Sequence, residues 1–120
     1  MVKEFSFEKL IVWQDAKTLT IEIYKLTKAF PKEEIYGLSS QIKRSANSVN
    51  SNIAEGSARL GKKDQARFYT IAFSSLIETL NHIIIARELD YLTKEEYNNL
   101  REKITAIAYK LNALKKATIN

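Results

Sequence analysis

Cysteine is absent and histidine occurs once, so disulfides and thiolate metal sites are excluded. Three glycines and one proline leave too few turn residues for the many reversals of an all-β fold. No uninterrupted apolar run approaches the ~20 residues that a membrane span needs, and Ile83 to Ala86 is about the longest. The opening MVKEFSFEKL spaces charges through itself and lacks the apolar stretch of a secretory leader. These absences favour a cytoplasmic, helical protein with no membrane segment. What is present agrees. A chain of 120 residues, 45% of them hydrophobic, is a single domain (residues 1–120) able to bury a core. Its net charge of +5 suits an acidic partner, and equally a merely soluble basic protein.

Apolar spacing predicts four helices. The first starts near Ser6, a candidate N-cap with Glu8 in the first turn, and carries Val12, Ala16, Leu19, Ile23, Leu26 and Phe30 as a bundle seam. Trp13 and Tyr24 widen that seam as packing residues, and Phe30-Pro31 stops the helix. The second, capped by Ser39 or Ser40, carries Leu38, Ile42, Ala46, Val49 and Ile53 on one face. The third runs from about Asp64 to Leu89 and is apolar around much of its circumference, which implies burial on more than one face and hence a subunit contact. In the fourth, Thr93 and Glu96 form a capping box ahead of Tyr97, Leu100, Ile104, Ile107, Leu111 and Leu114 in strict heptad spacing. Short connections make this an all-α, antiparallel up-and-down four-helix bundle.

The stretch Gln41–Gly56 is unusual for a helix. Ser45, Asn47, Ser48, Asn50, Ser51 and Asn52 all offer the backbone competing hydrogen bonds, so the segment needs a neighbour to hold it helical. Ser45, Ser48 and Asn52, in line with Gln41 and Glu55, form a small polar stripe that another helix could approach closely. Gly56 is expected to end the helix in a left-handed conformation.

The segments FEKLIVWQDA, FPKEEIYGL, QIKRSANSVNSNIAEG and FYTIAFSSLIE resemble the four-helix-bundle family of 23S rRNA intervening-sequence proteins, from about Phe7 to Leu114. In bacteria these proteins are encoded within insertions in large-subunit ribosomal RNA genes and elsewhere. The resemblance implies an up-and-down protomer that assembles into a homo-oligomeric ring, a homopentamer. The chain is also similar to accessory proteins of diversity-generating retroelements, which implies nucleic acid and a reverse transcriptase as partners. It supplies no catalytic residues.

Few constellations could carry chemistry. Gly56 to Lys63 approaches the spacing of a phosphate-binding P-loop, but Lys63 stands where a magnesium-holding Ser or Thr belongs, and the loop follows a helix instead of a strand. What survives is a loop carrying Arg59, Lys62 and Lys63, with Arg67 one turn on, at a helix N-terminus suited to phosphate. Glu78 and His82 lie one turn apart, but two ligands do not make a metal site. They read instead as a buried or interfacial pair, with His82, Arg44 or another subunit as the donor to Glu78. Glu55, in a last turn, should have Arg59 or Arg67 beside it. Glu33-Glu34 and Glu95-Glu96 read as solvated helix starts. The expected function is therefore non-enzymatic, without cofactor or metal. Arg59, Lys62, Lys63 and Arg67 are expected to meet RNA or DNA phosphates. Ser45, Ser48, Asn52, Glu55, Glu78 and His82 are expected at an oligomer interface or as buried polar groups. The alternative is a protein-interaction scaffold without nucleic-acid contact.

Overall fold

The computed structural model describes residues 2–120. Its helices are α1 (Ile11–Thr27), α2 (Leu38–Ser57), α3 (Lys62–Glu88) and α4 (Lys94–Ile119), and no strand occurs among the described residues. Each helix packs on the two adjacent to it in the cycle α1–α2–α3–α4, and α2 against α3 is the most extensive pairing. The longest dimension is 43 Å. Twenty-seven residues at ~1.5 Å per residue come to about 40 Å, so the bundle is one helix long.

The core is drawn from the expected stripes. Leu19 and Ile23 of α1, Ile42, Val49 and Ile53 of α2, Leu76 and Ile83 of α3, and Leu100, Ile107 and Leu111 of α4 are all fully buried. Trp13 is half-buried, with the Phe7 ring edge-on to it at a centroid distance of 4.9 Å. Ion pairs Glu22–Lys103 and Asp15–Lys110 join α1 to α4.

Helix ends depart from expectation. Ser6 does not cap α1. It opens a 3-10 turn, Ser6–Lys9, in which the Phe5 N–H donates to Glu8 Oε2 at 2.7 Å, and α1 begins only at Ile11. Neither Ser39 nor Ser40 caps α2, because the helix starts one residue earlier. The Leu38 N–H donates instead to Glu34 Oε1 at 3.1 Å. Glu34 is thus not a solvated helix start. Its other oxygen accepts from the Tyr91 hydroxyl at 2.9 Å, tying the α1–α2 connection to the α3–α4 turn. The Tyr91 phenol is held above the ordinary phenol range, first by that hydrogen bond, then by desolvation and the charges of Glu34 and Glu33. Burial raises Tyr69 in the same sense.

Gly56 does not end α2 in a left-handed turn, since no glycine has positive φ and the helix continues to Ser57. It is buried against α3, where a Cβ would lie 2.7 Å from Tyr69 Cε1 and 3.0 Å from Phe68 Cβ. The glycine serves close approach of two helices. The residue that does adopt positive φ is Asp90, at 62°. Just past α3, Tyr91 N–H donates to Ala86 O at 2.9 Å and Asp90 N–H to Arg87 O at 3.0 Å, the paired bonds of a Schellman turn.

Candidate nucleic-acid interface

Two groups of sequence-predicted residues occupy different places. Arg59, Lys62, Lys63 and Arg67 gather where α2 passes into α3. Helix α3 begins at Lys62, two residues earlier than its spacing predicts, so Lys62 and Lys63 are not loop residues but the first-turn residues. Cations there oppose the helix dipole and are left to add to its positive end. No side chain caps the α3 N-terminus, so its first N–H groups have no side-chain acceptor.

The arginines are held in place. Both guanidinium groups lie over the buried Phe68 ring, at 4.5 Å for Arg59 and 4.7 Å for Arg67. Asp64 sits between them, 2.9 Å from Arg67 and 3.6 Å from Arg59. Gln65 Nε2 donates to the Arg59 carbonyl at 2.8 Å and fixes the turn. One carboxylate therefore faces four cations, and Lys62 and Lys63 are exposed and in no ion pair among the described residues. Leu60 stands fully exposed at the tip, a feature that periodicity did not single out. Glu55 does not pair with Arg59 or Arg67. It is exposed, and Arg59 turns to Asp64, whose first-turn carboxylate the helix dipole favours.

The small polar stripe faces α3 within the same chain. Thr79 Oγ1 donates to Ser45 Oγ at 2.8 Å, Ser48 and Ser75 hydroxyls meet at 2.8 Å, and Asn52 Nδ2 donates to the Ser48 carbonyl at 2.8 Å. No buried side-chain nitrogen or oxygen among the described residues lacks a partner. Glu78 bridges α3 to α2. It accepts from Arg44, which Gln41 Oε1 also holds at 2.9 Å, and lies 3.2 Å from His82 Nε2. No cluster of three His, Cys, Asp or Glu residues occurs among the described residues. Sequence reasoning missed Glu34 and Tyr91, whose partners lie 57 positions apart. It also missed Thr20, buried in α1 with its hydroxyl 2.6 Å from the Asn50 amide.

The outer face of α3 remains uncovered. Ile71, Ile77, Ile84 and Ile85 expose 36–47% of their surface. By length and composition α3 could cross a membrane, although no apolar run in it is long without interruption. Its Ser75–Ser48 and Thr79–Ser45 seam and its packing on α2 and α4 make it a bundle helix.

The model of the 23S rRNA-intervening sequence protein family matches residues 8–113. A crystal structure of a protein of unknown function from the S23 ribosomal protein family of Bacteroides thetaiotaomicron superposes with a TM-score of 0.79. That likeness covers 88% of this chain and 99% of the other at 24% identity, and it carries the fold alone. Among curated proteins none matches the chain.

Proposed function

The chain belongs to the 23S rRNA-intervening sequence protein family, and we propose that it acts there as a non-enzymatic, homo-oligomeric protein that contacts nucleic-acid phosphates through Arg59, Lys62, Lys63 and Arg67. The observation that carries this reading is the uncapped start of α3 with two unpaired lysines in its first turn and two arginines held on Phe68. A helix N-terminus of this kind accepts anions through backbone N–H groups, and the side chains add charge without reading bases.

Assembly would multiply the patch. The exposed isoleucines of α3 support self-association, and a pentameric ring, the state that family resemblance implies, would repeat the four cations around one rim. Single patches bind nucleic acid in the range of about 10⁻⁴ to 10⁻⁶ M at physiological salt. Linked patches on one polyanion gain effective concentration without new contacts. The test is a titration of binding to mixed RNA and DNA against salt. A steep linear fall of log affinity with log salt, indifferent to sequence, is expected, and no binding at low salt overturns the reading.

The same apolar face favours a second reading, a scaffold for another protein such as a reverse transcriptase with no direct nucleic-acid contact. A particle mass of 13.8 kDa in light scattering, joined to absent nucleic-acid binding, would decide for it.

A further inference from the structure

At the other end of α2 lies a cleft of about 370 Å³ between the end of α1, the connection after it and the start of α2. Its lining divides by chemistry. Lys28, Lys32 and Lys43 supply three cations, none in an ion pair among the described residues, while Phe30, Pro31 and Ile35 supply an apolar wall. The Tyr24 ring joins the two walls. Its hydroxyl accepts from Asn47 Nδ2 at 2.6 Å, and the Lys43 ammonium lies 5.4 Å from its centroid.

The floor carries a second, independent feature. Ser39 is only 5% exposed, and its hydroxyl makes no hydrogen bond to another group among the described residues. No fully buried polar atom goes unpartnered, so this hydroxyl reaches solvent along the cleft it lines. A hydroxyl that opens on a cleft is free to donate to an oxygen placed there. Glu34 does not line the cleft, and its two oxygens accept from the Leu38 N–H and the Tyr91 hydroxyl.

We propose that this cleft is a binding site for a nucleoside phosphate. The phosphate lies among Lys28, Lys32 and Lys43, the planar base lies along Phe30, Pro31 and Ile35, and Ser39 donates to a ligand oxygen. The volume falls within the ordinary range of small-ligand sites, roughly 300–1,000 Å³. The site stands apart from the Arg59–Arg67 rim by most of the length of α2, about 25–30 Å at ~1.5 Å per residue. It therefore does not depend on the rim binding anything.

Amide chemical shifts of the full-length protein, titrated with adenosine monophosphate, uridine monophosphate and inorganic phosphate, test the proposal. Saturable shifts centred on residues 27–43 are expected with both nucleotides, and weaker ones at the same amides with inorganic phosphate. Lys28→Glu with Lys32→Glu, both at exposed positions, weakens nucleotide binding by about tenfold or more. Ile35→Ser weakens nucleotide binding but not inorganic phosphate binding. A short single-stranded oligonucleotide that displaces the monophosphate assigns the site to a strand, and one that leaves it in place assigns it to the free nucleotide. Shifts confined to residues 58–68, equal affinity for inorganic phosphate and nucleotide, or no saturable shift well above a dissociation constant of ~1 mM would overturn the assignment.

Discussion

The hydroxyls of Ser45 and Thr79 meet at 2.8 Å between α2 and α3, and neither residue has exposed surface. Ser45 Oγ in turn donates to the Ile42 carbonyl at 3.0 Å, and Thr79 Oγ1 also lies 2.9 Å from the Ser75 carbonyl. With Ser48 and Ser75 one turn away, this makes a polar seam between α2 and α3. Small hydroxyl side chains are poor helix formers alone, but here they let two helices lie close while satisfying one another.

Removing both partners should cost less than the two single removals added together. Ser45→Ala and Thr79→Val are each expected to destabilise by about 1 kcal/mol, and the double variant by less than their sum. Urea unfolding of the four proteins in the cycle measures the coupling. Strict additivity would mean that the pair contributes nothing of its own.

Gly56→Ala should destabilise the fold although alanine is the better helix former. The new methyl would collide with the buried Tyr69 ring at 2.7 Å. Overpacking of this kind costs about 1–3 kcal/mol, against the ~0.5–1 kcal/mol that helix propensity returns. A lower thermal midpoint is expected. The companion variant Gly61→Ala, where an added Cβ meets nothing within 4 Å, should leave the midpoint unchanged or raised.

Alkaline pH should weaken the bundle. Tyr91 and Tyr69 both have folded pKa values above the ordinary phenol value, so the folded state holds the proton more tightly than the unfolded chain. Their contribution is fully present below about pH 10 and is lost as pH rises through the folded values. Tyr91→Phe removes the hydroxyl bonded to Glu34. It should lower stability near neutrality and flatten the decline above pH 10, as read by denaturant midpoints across pH 7 to 11.

Charge reversal at the rim separates a binding surface from a solvated one. Lys62→Glu with Lys63→Glu is expected to weaken binding to every nucleic-acid sequence about equally and to flatten the salt dependence. Helical content should persist, because both side chains are exposed and glutamate is favoured in a first helical turn. Unchanged affinity would remove these lysines from the interface.

Arginine at Ile77 and Ile84, two exposed positions on the outer face of α3, is expected to reduce a larger particle to 13.8 kDa in light scattering. An unaltered particle mass would place self-association on another surface.

Local physics accounts for what the sequence by itself determined. Period 3.5 to 3.6 in apolar residues is a property of single helices, so all four stripes, the Thr93–Glu96 capping box and the core residues Leu19, Ile53, Leu76 and Ile107 were readable along the chain. Arg44 and His82 were two of the three donors the sequence offered for Glu78, and both meet it, although Glu78 is partly exposed where burial was expected. The tertiary structure decided what depends on distance across the bundle. Gly56 looks like a helix terminator until Tyr69 is seen against it. Glu34 reads as a solvated charge until the α3–α4 turn brings Tyr91 to it. The serines of α2 could have faced another subunit, and only the packing of α3 turned them inward. Local sequence sets which face of a helix is apolar or small, but which helix covers that face is fixed by how short connections and core volumes close the bundle.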